Sequence, residues 1–194
     1  MHRVVAEILA SNDWRDREFA KFKVNSSGVE EELWCRMCIP MVYAHWEGFV
    51  VSSLKTLIDH LNSLGLPASG VPTTLVAVGL ADAYQFLSGK QSFAQRVDFT
   101  NRFRDLIQDT IRFQKTIDTK SNLKASVLRE LCHMYGFRFE RFSSLTADID
   151  RLVNVRNSIA HGENSFVLNS ENVSKYIAAV TNAMDIFERK SRSF

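Results

Sequence analysis

With 194 residues, 45% of them hydrophobic and 24% charged, the chain suits one globular domain with a sizeable core, and its formal net charge of +2 is too small to establish a nucleic-acid partner by itself. Three prolines and eight glycines leave few turns, which favours long helices over a many-stranded sheet. No run of about 18 apolar residues occurs, so a membrane span and a membrane partner are excluded. Three cysteines without a signal peptide point to a reducing cytoplasm.

Taken in chain order, residues 2–23 carry Val5, Ile8, Leu9, Phe19 and Phe22 at helical spacing, and NSSG at 25–28 ends the run. Residues 30–63 form the most apolar stretch. Glu30 to Glu32 suit the positive end of a helix dipole, and Pro40 is expected to kink this helix or split it in two. GLPASGVP at 65–72 is a loop; a helix resumes near Thr74 and fades by Gly89. Residues 92–115 read as a helix with Phe99, Phe103, Leu106, Ile107 and Ile111 in one stripe, and residues 121–135 continue similarly. YGFRFERF at 135–142 is an aromatic, basic connector or short helix. Ser143 or Ser144 is expected to cap the next helix, which runs to about His161. FVL at 166–168 reads as extended. Residues 170–191 form a last helix with Val173, Tyr176, Ile177, Val180 and Ile186 inward, and the tail at 188–194 is basic. The fold class is therefore all-α, a helical bundle in a single domain over residues 1–194.

Charge is unevenly spread. Residues 1–89 carry 7 Lys/Arg against 10 Asp/Glu, residues 90–141 carry 11 against 6, and residues 142–194 carry 6 of each. The basic middle is either an anion-binding face or a solvated pair of helices with surplus arginine. Cys35 and Cys38 form a lone CRMC inside a helical stretch. A redox or zinc role needs a second pair or a βαβ context, so apolar buried thiols are expected and no metal or other cofactor is implied.

Two charges break apolar stripes. On a helical wheel centred on Arg156, Leu145, Ile149, Leu152, Ile159 and Ala160 all lie within about 60° of it. Asn157 and His161 lie about 40° apart on the adjoining polar flank. On a wheel centred on Glu47, Leu33, Pro40, Ala44, Val51, Leu54 and Ile58 lie within about 60°. An isolated buried charge costs several kcal/mol, so each needs partners, and the economical expectation is that Glu47 lies near Arg156 within one subunit or across a dimer. A buried salt bridge that fixes bundle register is the plain reading of the pair, and a capping role near a helix C-terminus is the plain reading of His161. Together, arginine, asparagine and histidine at one helix end suit phosphate chemistry. Arginine grips a phosphate bidentately, asparagine orients an oxygen, and histidine shuttles a proton.

At these residues the chain resembles the HEPN superfamily. The superfamily's R-x4-6-H motif stands here as RNSIAHG, Arg156 to Gly162, at the end of a helix in an all-α chain. RMCIPMVYAHWEGFV at 36–50 resembles the second helix of a bacterial RNase-like clade, and DWRDREF at 13–19 its first; residues 65–135 match least. The resemblance implies a bundle of about five to seven helices that dimerises, with Arg and His of both subunits meeting at one cleft. It implies metal-independent cleavage of RNA with the ribose 2′-hydroxyl as nucleophile, in a toxin or antiphage-defence effector. Arg156 would stabilise the phosphorane charge, His161 would transfer protons, Asn157 would position the phosphate, and Glu47 would orient Arg156. Tyr43 and Ser158 join as substrate-binding candidates. In a subgroup controlled by a nucleotidyltransferase antitoxin, a Tyr follows the His by three residues. Position 164 here is Asn, which argues against that control and leaves a different antitoxin, a defence-operon partner, or none. A non-catalytic HEPN-type nucleotide- or RNA-binding module and a plain dimerising scaffold are the competing readings.

The remaining histidines have structural readings: His45 and Glu47 face different sides of a helix, and His60 and His133 lack partners at ligand spacing. Arg138 and Arg141, interleaved with Phe137, Phe139 and Phe142, are either a patch that stacks on single-stranded RNA or core aromatics with snorkelling arginines.

Overall fold

The computed structural model describes residues 2–10, 12–84 and 91–191. The expected fading of a helix by Gly89 and the last residues of the basic tail lie outside these ranges. The order is α1 (His2–Ala10), α2 (Asp13–Val24), α3 (Glu31–Ser63), α4 (Thr73–Gly79), α5 (Ala81–Tyr84), α6 (Phe93–Gln108), α7 (Ala125–Met134), α8 (Thr146–Ala160) and α9 (Ser170–Ser191). No strand forms among the described residues, and a single antiparallel bridge joins Pro67 to Thr110. Among the described residues no helix is long and apolar enough to cross a membrane.

α3 is the axle of the fold. Glu30 caps it, its carboxylate accepting from the N–H groups of Glu32 at 3.0 Å and Leu33 at 2.9 Å. Pro40 neither ends nor splits it: the helix runs unbroken to Ser63. Packing explains this. Cys35, Cys38, Ile39, Val42, Trp46, Phe49, Val50, Leu54 and Ile58 are all buried, so several sides of the helix are gripped by α1, α8 and α9. One hydrophobic cluster runs from Val4 to Phe187, and large side chains such as Trp46 and Phe49 each contribute about 2–3 kcal/mol by leaving water.

Several boundaries differ from the sequence reading. The expected helix over 2–23 is interrupted at Asn12, whose side chain bonds Arg15 and Glu188. The expected helix over 92–115 stops at Gln108, after starting from a capping box in which Ser92 and Gln95 exchange hydrogen bonds. α6 buries none of its residues, whereas Ile111, expected on its stripe, is buried from the irregular segment beyond. That segment, 109–124, replaces ladder hydrogen bonds with side-chain ones. Asn62 takes the Phe113 N–H at 2.8 Å and donates to its carbonyl at 3.0 Å, and Trp46 donates to the Leu123 carbonyl at 3.4 Å. Gly79 ends α4 where Ile111 crosses it: a Cβ there would sit 2.5 Å from the isoleucine side chain. Neither Ser143 nor Ser144 caps α8, whose first turn follows Leu145 without a side-chain cap. FVL at 166–168 forms no strand; Leu168 is buried and Val167 exposed.

The apolar stripe around Glu47 is not all core. Leu54 and Ile58 are buried, but Leu33 is 51% exposed, Met37 56% and Met41 44%, and Ala44 is exposed as well. The N-terminal half of α3 thus carries its apolar face on the outside.

Candidate functional site

α8 ends at Ala160, with His161 closing it through a backbone N–H to the Asn157 carbonyl at 3.0 Å, and Gly162 turns the chain at φ +73°. Arg156 sits half-buried one turn back from that end. Its guanidinium lies over the Tyr43 ring, 3.8 Å from the ring centre. Nη1 donates to Asn157 Oδ1 at 2.9 Å and Nη2 to the Ser121 carbonyl at 3.0 Å, while the buried Nε has no hydrogen-bond partner. Asn157 passes the link on: its Nδ2 donates to Asn122 Oδ1 at 3.2 Å.

Tyr43 is buried beneath the guanidinium. Its hydroxyl donates to Glu47 Oε1 at 2.9 Å and accepts the Leu123 N–H at 3.0 Å. Thr119 donates to the same Glu47 oxygen at 2.6 Å. Burial pushes the phenol's pKa up; the Leu123 N–H pulls it down, Glu47 adds to the rise and Arg156 opposes it. The phenol therefore stays protonated and serves as a donor. Glu47 and Arg156 meet the same tyrosine, and no ion pair joins them among the described residues. Tyr43 stands between, holding the carboxylate by its hydroxyl and the guanidinium by its face.

This changes three assignments. Tyr43 is a buried support for Arg156 rather than a group that meets a ligand. Ser158 is 6% exposed with an unpartnered Oγ, so it faces the interior instead of a substrate. Arg138 and Arg141 are exposed on the turn between α7 and α8, but Phe137 and Phe142 beside them are buried and the half-buried Phe139 carries Arg129 over its ring at 4.6 Å. The aromatic half of that patch is core.

Other residues enter that no sequence pattern marked. Thr119, Ser121 and Asn122 lie on the irregular segment before α7, and its Lys120 and Ser121 adopt positive φ angles of 55° and 47°. Arg36 of α3 bonds Asn164 Oδ1 and the Glu163 carbonyl, and so ties down the turn that follows His161. The exposed His161 imidazole has no partner among the described residues.

The electrostatics follow from these contacts. Both forward donors of Arg156 rest on neutral oxygens rather than on a carboxylate. The thiols contribute nothing comparable: Cys35, Cys38 and Cys132 are buried and unbridged. Burial, with nearby Glu31, pushes Cys35 up to about 11, and burial with Glu140 pushes Cys132 up to about 12. Among the described residues no group of three or more His, Cys, Asp or Glu could hold a metal ion.

No curated protein and no solved structure matches this chain. The family model described as RiboL-PSP-HEPN matches residues 10–191, so the chain belongs to that family and to the HEPN superfamily, a membership that supports an RNA-related function.

Proposed function

We propose that this chain is a metal-independent endoribonuclease that acts through the ribose 2′-hydroxyl. The observation that carries the reading is an arginine stacked on a buried tyrosine, its fork met by neutral oxygens, one turn from an exposed histidine on the same helix end. A phosphodiester entering there replaces the Ser121 carbonyl on Arg156. The 2′-oxygen attacks phosphorus and loses its proton to a base, the phosphorus–O5′ bond breaks, and O5′ takes a proton from an acid. The products are a 2′,3′-cyclic phosphate and a 5′-hydroxyl. His161 supplies one of the two proton transfers, Arg156 holds the phosphorane charge, and Asn157 places the phosphate. Glu47 acts through Tyr43, fixing the ring on which the guanidinium lies.

A second copy of this chain completes the site. The exposed Leu33, Met37, Met41 and Ala44 lie on the N-terminal half of α3, adjoining Tyr43 and Glu47, and an apolar face of this kind calls for a cover. A paired His161 would then serve the other proton transfer. Sedimentation velocity on the wild-type chain reads this directly, and a monomer at micromolar concentration would sink the composite site. In the cell we place the chain as a toxin or antiphage effector, held or triggered by a partner protein.

The test is cleavage of a mixed-sequence RNA by wild type, Arg156→Ala and His161→Ala, each checked for folding by circular dichroism. Either substitution is expected to lower the rate about 10²–10³-fold, as for the loss of one transition-state donor. Binding without cleavage by the wild type would turn the reading to a non-catalytic RNA-binding module.

A further inference from the structure

Beside the Arg156 fork lies a cleft of about 300 Å³, lined by Lys120, Asn122, Lys124, Ser126, Val127 and Glu130. Asn122 belongs to both places: it lines the cleft, and its Oδ1 accepts from Asn157, the residue next to Arg156. Of the two lysines, Lys120 is already neutralised, its Nζ 2.8 Å from Glu130. Lys124 is different. It is half-buried, yet no ion pair or side-chain hydrogen bond satisfies it among the described residues. Its ammonium reaches water over a covered stem, and no acidic side chain among the described residues claims it.

We propose that this cleft is a second anion site, built for the phosphodiester next to the one held by Arg156. Lys124 supplies the charge, and Asn122 and Ser126 supply polar groups around it. The inference rests on the RNA-cleaving reading and adds to it a strand register: one phosphate on the Arg156 fork and its neighbour on Lys124, with the Asn122–Asn157 bond fixing the spacing. Lys124 precedes the first turn of α7 without a side-chain cap, so its side chain is free for this role. The substrate is then a strand that offers at least two consecutive phosphodiesters.

The test uses an all-2′-deoxy hexanucleotide, which lacks the nucleophile and is not cleaved, together with a 5′-mononucleotide. Affinities of wild type, Lys124→Ala, Lys124→Met and Lys124→Arg are measured over a salt series. Lys124→Ala is expected to weaken the hexanucleotide about five- to tenfold and to lower the salt slope by about 0.7, the loss of one single-strand phosphate contact. Lys124→Met, which keeps the stem, should match it, and Lys124→Arg should restore most of the affinity. Unchanged hexanucleotide affinity and slope in Lys124→Ala and Lys124→Met would overturn the proposal. So would an equal loss for the mononucleotide, which would make the cleft a site for a free nucleotide. The two levels separate cleanly: a wild type that cleaves RNA in an Arg156-dependent way, with Lys124 variants unaltered, removes the subsite alone. A wild type that binds no oligonucleotide at any salt removes both.

Discussion

Two of the arginines held against aromatic rings, Arg15 and Arg156, live differently. Arg15 of α2 is 7% exposed, its guanidinium 4.7 Å from the centre of the Trp14 ring, and it donates to Asn12, which in turn donates to Glu188 of α9 at 3.1 Å. Nearby, the buried His45 bonds Glu18 at 2.8 Å and lies 4.9–6.2 Å from Trp14, Phe19 and Phe22 by ring centres. Acidic groups sit at both ends of this cluster. Arg156 is open on one side, its donors rest on neutral oxygens, and the histidine near it is exposed. An arginine bound into a network that ends on carboxylates is committed to holding helices together. One parked on a carbonyl keeps its charge available for an anion.

The strongest way to break this contrast is to truncate each arginine. Arg156→Ala is expected to remove RNA cleavage by two orders of magnitude or more while costing about 1 kcal/mol, the worth of its ring stacking. Arg15→Ala should do the reverse. It leaves a void beside Gly48 and a broken buried network, costs about 2–3 kcal/mol, and leaves the turnover of the folded fraction intact. Urea melts and cleavage rates on both variants decide it; equal stability losses, or a drop in turnover in Arg15→Ala, would erase the distinction.

A middle-sized effect is expected at Tyr43→Phe. The ring stays under Arg156, but the buried Leu123 N–H loses its acceptor and Glu47 loses a donor. An orphaned buried donor costs about 1–3 kcal/mol. Turnover should fall less than in Arg156→Ala, because the guanidinium keeps its platform. A loss as deep as that of Arg156→Ala would mean that the phenol itself takes part in the chemistry.

How much of this was legible in the residues depends on how local each signal is. The acidic entry to α3, the break at NSSG and the extent of α9 follow from capping and periodicity over a few turns. Arg156 and Glu47 stood out for the same reason: the 3.6-residue period makes a charge on an apolar stripe visible. The wheel could not show what joins them, because it places residues on a face and says nothing of what stands between two faces, where Tyr43 lies. It also counted Leu33 and Ala44 as core, since an apolar stripe that meets a neighbour and one left outside have the same period. Thr119, Ser121 and Asn122 were invisible. They sit on backbone without a period, and the Ser121 carbonyl reaches Arg156 across 35 residues of sequence by a main-chain atom that no side-chain pattern encodes.

A smaller expected effect concerns pH. Burial holds the His45 imidazolium form down, Glu18 opposes this, and Arg15 adds to it, with burial the largest influence. The net shift is downward, so the folded chain binds fewer protons at this residue than the unfolded chain. The associated stability is complete above the ordinary imidazole pKa of about 6.5 and is lost as pH falls through the lowered folded value. The melting temperature of wild type should therefore decline from pH 7 towards pH 5 more steeply than that of His45→Gln. Parallel curves would show that the aromatic-ringed cluster is not proton-linked.

The smallest expected effect bears on the oxygen that fills the Arg156 fork. Ser121 and Lys120 both hold positive φ, which costs a non-glycine residue roughly 1–2 kcal/mol each. Ser121→Gly relieves the side-chain conflict but adds about 0.5–1 kcal/mol of backbone entropy to be lost on folding, so global stability should move by less than about 1 kcal/mol. The local consequence is more telling than the global one. If Ser121 is held in a strained conformation so that its carbonyl is readily displaced by phosphate, glycine settles it more comfortably in the fork and the entering phosphate meets a better-seated competitor. KM for RNA should then rise a few-fold at an unchanged kcat, because once phosphate has replaced the carbonyl the catalytic contacts are the same. A fall in kcat at constant KM would place the Ser121 carbonyl in the reacting complex itself, and the arginine would no longer be parked but permanently engaged, like its counterpart on α2.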